Sequence, residues 1–131
     1  MSSFKIFDVA GSGMSAQSVR LNTTASNLAN ADSGSGDPNQ VYKAMHPLFE
    51  AIRAVSNGVA VKGIYESTAP ATARYEPGNP LADANGYVYA PAVNAVEEMV
   101  NMISASRSYQ NNVEVMNTAK EMMLATLRLG Q

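Results

Sequence analysis

The sequence predicts a mainly α protein with a small β-rich insert, its long N- and C-terminal helices pairing as a coiled-coil hairpin. Three observations carry that expectation. All six prolines of the 131 residues fall between positions 32 and 92. Ahead of them, apolar residues recur at an unbroken interval of seven; after them, apolar residues follow a 3/4 spacing. The chain thus divides into an N-terminal helix (1–31), a segment of loops and short strands (32–92) and a C-terminal helix (93–131).

In the first zone the recurring residues are Phe7, Met14, Leu21 and Leu28, with small residues such as Ala10, Gly11, Ser18 and Ala25 between them. One narrow apolar line of this kind is a coiled-coil seam rather than the broad face of a globular-core helix. Only Lys5, Asp8 and Arg20 are charged between positions 4 and 31. The outer faces instead carry Ser12, Ser15, Gln17, Asn22, Thr23, Ser26 and Asn27, and so lack the ion pairs that usually support a solvated helix. Two readings of such faces stand: they meet other protein chains, or they are a charge-poor solvated surface.

The middle zone is punctuated by turns. "ADSGSGDPN" is a loop in which Pro38 excludes a helix. Asn57-Gly58 precedes the alternating Val59 and Val61, a short strand. Pro77-Gly78, Asn79-Pro80 and Asn85-Gly86 leave room only for brief strands at 74–76 and 87–89. Residues 39–56 carry the weakest strand signal of the zone. The last zone opens after Pro91, with Asn94 and Glu97 in the spacing of a capping box, and Gly130 is a C-terminal stop. Its stripe comprises Met99, Met102, Tyr109, Val113, Met116, Met123 and Leu127. At 1.5 Å per residue the two helices would be about 40 and 55 Å long.

Enzyme chemistry finds little support. "GSGMSA" at 11–16 matches a dinucleotide-binding glycine pattern, and Asp32 stands near the position of its ribose-binding acid. The strand that should precede the glycines would have to bury Lys5 and Asp8, however, and no strand–helix–strand alternation follows. His46 is the lone histidine and cysteine is absent, which leaves no set of metal ligands with suitable spacing. Glu97 and Glu98 are adjacent on a helix and point about 100° apart, so they cannot flank a substrate. No cofactor is expected. A net charge of −2 gives no electrostatic case for nucleic acid, and no apolar run is long enough to span a bilayer.

Three stretches bring a resemblance into view. "FDVAGSGMSAQSVRLNTTASNLANADS" at 7–33 is similar to the amino-terminal signature of flagellar rod and hook proteins. "YEPGNPLADANGYVYAP" at 75–91 and "VEEMVNMISASRSYQNNVEVMNTAKEMMLATLRLGQ" at 96–131 resemble, more selectively, the proximal-rod type of the flagellar basal-body rod family. The continuation "ADSGSGDPNQVYKA" suits that type better than the hook proteins, and the insert is too short for the hook's outer domains. The resemblance implies a structural subunit of a helical tube, the periplasmic drive shaft of the flagellum. Other rod proteins, proximal and distal, copies of the chain itself and the flagellar export apparatus are then its partners, and export proceeds without a cleaved signal peptide. On this reading Phe7, Met14, Leu21 and Leu28 join the C-terminal stripe as the seam, and Asn22, Ser26, Asn27 and Asn30 face neighbouring subunits. The rivals are another axial component, such as a second proximal-rod or junction protein, a nicotinamide-binding enzyme, and a membrane-active helix. The scarcity of Lys and Arg on the first helix speaks against the last.

Overall fold

The computed structural model describes residues 3–53 and 57–131. Two long helices, α1 (Ser3–Ala29) and α2 (Ala95–Leu129), lie antiparallel and pack along their length. Between them in sequence come β1 (Met45–Ala51), β2 (Val59–Glu66), β3 (Thr72–Tyr75) and β4 (Tyr87–Ala90). The strands form two separate antiparallel pairs, β1 with β2 and β3 with β4. The fold is mainly helical with small antiparallel sheets between long terminal helices, as the proline-bounded zones predict.

Helix α2 starts where its sequence says it should. Asn94 is in an extended conformation, and its side-chain oxygen accepts from the amides of Val96 and Glu97 at 3.0 and 3.3 Å. Those are two of the N–H groups that a helix N-terminus leaves without partners. Glu97 and Glu98 in the first turn also oppose the positive end of the helix dipole. At the far end the Gly130 amide donates to the Thr126 carbonyl, with φ at −83°, so the helix closes without a left-handed residue. The segment "GSGMSA" lies wholly inside α1, and its preceding residues are helical too. The strand a dinucleotide fold needs is therefore replaced by helix.

Strand β1 is the element the sequence conceals. Pro47 interrupts it, and a proline cannot donate to a strand ladder. It is tolerated because a two-stranded sheet leaves one edge of each strand free of pairing. Pro47 sits opposite Ile64, and Leu48 pairs with Gly63 while Phe49 pairs with Val61, so Lys62 is the extra residue of a bulge. Lys62 and Glu50 approach to 3.8 Å beside it, both well exposed. Asn57 adopts φ of 48°, the left-handed conformation that Asn accepts more readily than most residues.

The second hairpin is held by its turn. Asp83 accepts from the amides of Asn85 and Tyr87, each at 2.9 Å, and from the Tyr89 hydroxyl at 3.2 Å. Its carboxyl lies below the ordinary value, chiefly because of the Tyr87 amide and against the opposing effect of partial desolvation. Gly86, at φ of +83°, permits the reversal, and an added Cβ there would meet the Tyr75 ring and Pro77. Tyr75 and Tyr87 pair edge to face at 5.3 Å, and Ser35 bridges to Tyr89 to fasten the hairpin to the loop after α1.

Candidate assembly surfaces

The line along which α1 meets α2 is built from small and polar residues. Buried positions on α1 are Ala10, Ala16, Thr23, Thr24 and Asn27; on α2 they are Glu98, Ala105 and Ala119. Three cross-helix contacts define the register. A Cβ at Gly13 would come within 2.9 Å of the Asn112 side chain, so the two helices touch there. Arg20 donates to Asn101 at 3.3 Å, and Asn27 donates to Glu98 at 3.1 Å.

Asn27 is the centre of the arrangement. Its Nδ2 also donates to the Met45 carbonyl at 2.9 Å, while its Oδ1 accepts from the Met45 amide and the Tyr42 hydroxyl, both at 2.8 Å. One side chain thus joins α1, α2, β1 and the loop before β1. Further along α1, Ser12 accepts from the Val59 amide at 3.1 Å and donates to the Val9 carbonyl, which fixes β2 to the same helix. Neither Ser12 nor Glu98 stands out in the sequence, because a polar residue on a helix carries no mark of the backbone it will meet.

Phe7, Met14, Leu21 and Leu28 are half-buried. The row through Gly13, Arg20 and Asn27, one residue earlier, meets α2 at Asn112, Asn101 and Glu98, and one residue on a helix is about 100° of rotation. On α2, Met102, Tyr109, Val113, Met116 and Met123 are half-buried, and Met99 and Leu127 are exposed. The row Met102, Tyr109, Met116, Met123 alternates by 4 and 3 with Glu98, Ala105, Asn112, Ala119, the two lines of a heptad seam. Among the polar positions expected to face neighbours, Asn22 is exposed. Ser26 accepts from Tyr42 at 3.0 Å, and Asn30 donates to the Ser26 carbonyl at 2.8 Å. Asn27 differs from the expectation outright: it is 1% exposed, and its side chain is used within the chain.

What remains outside is substantial. On α1 the residues Phe4, Asp8, Ser15, Ser18, Asn22, Ala25 and Ala29 are exposed along one face. On α2, Val96, Met99, Val100 and Ile103 form an apolar patch near the start, and Val115, Met122, Leu124, Leu127 and Leu129 are exposed further on. Among the described residues the buried hydrophobic ones are alanines with Val41 and Val88, and Asn27 is the largest fully buried side chain. Among the described residues no cluster of three His, Cys, Asp or Glu side chains could hold a metal ion, and no helix is long and apolar enough to cross a membrane.

Paired terminal helices with an alanine-and-polar interior, and an apolar exterior on α2, fit the class of structural proteins. Residues 7–36 match the family described as "Flagella basal body rod protein", and residues 84–129 match "Flagellar basal body rod FlgEFG protein C-terminal". The chain is similar over its whole length, and over theirs, to flagellar basal-body rod protein FlgC of Salmonella typhimurium (58% identical over 134 residues) and Yersinia enterocolitica (54% over 134). FlgC of Buchnera aphidicola subsp. Baizongia pistaciae is 37% identical over 139 residues, again with both chains covered in full. The chain belongs to the FlgC family of flagellar basal-body rod proteins. It is a structural subunit of the flagellar rod.

Proposed function

We propose that the chain takes its place in the proximal rod by burying its exposed helix faces against copies of itself and against other proximal- and distal-rod proteins. The flagellar export apparatus delivers it, and the periplasmic rod is where it acts. The observation that carries this reading is the distribution of apolar residues. Large hydrophobic side chains crowd the outside of α2, while alanine fills the inside. Fully burying one Leu, Ile, Met or Phe is worth about 1.5–3 kcal/mol, so the stabilisation this chain leaves unrealised is large and becomes available only against other chains.

The mechanism needs no chemistry. A repeated contact between unlike patches does not close on itself and generates a helical array. Helices interlocked along such a tube carry torque. The zones 1–31, 32–92 and 93–131 divide the work: the terminal helices build the tube, and the hairpins decorate it. Basal bodies isolated from a strain producing a tagged chain test the proposal. The tag is expected to co-purify with the rod and to cross-link to rod proteins on both sides. Rods of full length that lack the chain would rule the proposal out.

A further inference from the structure

Helix α2 outruns its partner. The register that sets Gly13 against Asn112 and Asn27 against Glu98 brings Ser3, the first described residue of α1, level with about position 122. Past that level no described residue of α1 lies opposite α2, yet α2 continues to Leu129. Leu124, Leu127 and Leu129 on this overhang are 45%, 65% and 88% exposed, and Arg128 is the only charged residue from 123 onward. Just short of it, α1 and α2 leave an open groove of 440 Å³ lined mainly by Ile6, Val115, Ala119 and Met122. Among the described residues Glu114 is the only charged one at its wall.

We infer that this groove receives the α2 overhang of a second copy of the chain, Leu127 entering among Ile6, Val115 and Met122 while Arg128 meets Glu114. The inference rests on the proposed assembly of the chain with copies of itself, and specifies which surfaces touch. Both features are apolar, each carries one charge, and the charges are opposite. They cannot satisfy each other within one molecule, because positions 115 and 127 lie on one helix about 18 Å apart. The contact is therefore between unlike patches of two copies, and every copy that receives an overhang offers one. Copies packed side by side in parallel would be displaced by the same distance, about 18 Å along the helix axis.

The absence of cysteine from the chain makes a direct test simple. The full-length double variant Val115→Cys/Leu127→Cys is oxidised and run without reductant. A disulfide requires Cα atoms within about 7 Å, so any bridge between these positions joins two molecules. A ladder of dimers, trimers and larger species is expected, with yield at least about tenfold above that of Ser18→Cys/Leu127→Cys, since Ser18 faces away from the groove. Adding Arg128→Glu to the first pair should reduce the ladder about tenfold, and adding Glu114→Arg as well should restore it. Equal ladders from both cysteine pairs, or no restoration by the double charge swap, would overturn the inference. Sedimentation of the unmodified chain separates the two levels of the argument. Self-association without the specific ladder refutes the groove alone, and a chain that stays monomeric and is absent from isolated rods refutes the assembly reading with it.

Discussion

Asn27 holds four pieces of the chain together with one amide group, and its chemistry is directional: Nδ2 must donate where Oδ1 must accept. Asn27→Asp keeps the shape and removes the donors, placing a second carboxylate against Glu98 and a carbonyl. A loss of about 3 kcal/mol is expected at neutral pH, since an unpaired charge in a buried site is costly. The loss is read as weakened incorporation of the variant into isolated rods. Asp83 carries a pH dependence. Its carboxyl is depressed by the hydrogen bonds of its turn, so the stabilisation it gives is complete above the ordinary carboxylate value and disappears as pH falls through the lowered one. Asp83→Ala should expose the Asn85 and Tyr87 amides to rapid hydrogen exchange at neutral pH and remove the acid sensitivity of the hairpin. The sequence displays Asp83 as one of several turn residues. What singles it out is the set of amides it gathers, a matter of backbone conformation that residue types alone do not express.

At the scale of elements, α1 separates two kinds of glycine. Gly13 touches Asn112, whereas a Cβ at Gly11 would meet nothing within 4 Å among the described residues. A helical glycine costs about 1 kcal/mol relative to alanine, and at Gly11 no close contact with the described residues offsets that cost. Gly11→Ala should therefore raise the helix content of the isolated chain while lowering rod assembly, a combination read by circular dichroism and by swimming in soft agar. Leu21→Asp should abolish assembly and motility with expression unchanged; normal swimming would remove the Phe7–Leu28 row from any role in the rod. The boundaries of α2 were legible because Pro91, Asn94 and Gly130 announce them in local chemistry. The polar contacts along α1 were not. Hydrophobic periodicity picks out Phe7, Met14, Leu21 and Leu28, which are half-buried, whereas close approach and hydrogen bonds across the helices involve Gly13, Arg20 and Asn27, one residue earlier. Strand β1 escaped for a related reason: Pro47 speaks against a strand, and only the free edge of a two-stranded sheet makes it acceptable.

For the whole molecule, the short supply of buried apolar volume sets the behaviour of the free chain. With alanines and two valines as its buried hydrophobic residues, the lone subunit has little to set against the entropy of ordering two long helices. Limited proteolysis of dilute chain should digest the termini and spare the middle, and the termini should become resistant on incorporation into rods. A resistant fragment extending from about residue 4 to 128 in dilute solution would contradict this. The helical class and the rod family could be read from zones and motifs that span the chain, since both depend on patterns that survive without coordinates. The surfaces could not, because which side of a helix remains free is settled by the register of its partner. The fastening of the first hairpin to α1 has a mechanical corollary. Val59 is tied to Ser12 and Met45 to Asn27, two attachments about 22 Å apart along the helix. A hairpin pinned at one point would swivel under a sideways push. Pinned at two, it acts as a bracket, and a load on its tip returns to the helix as a couple of opposed forces with that separation as its arm.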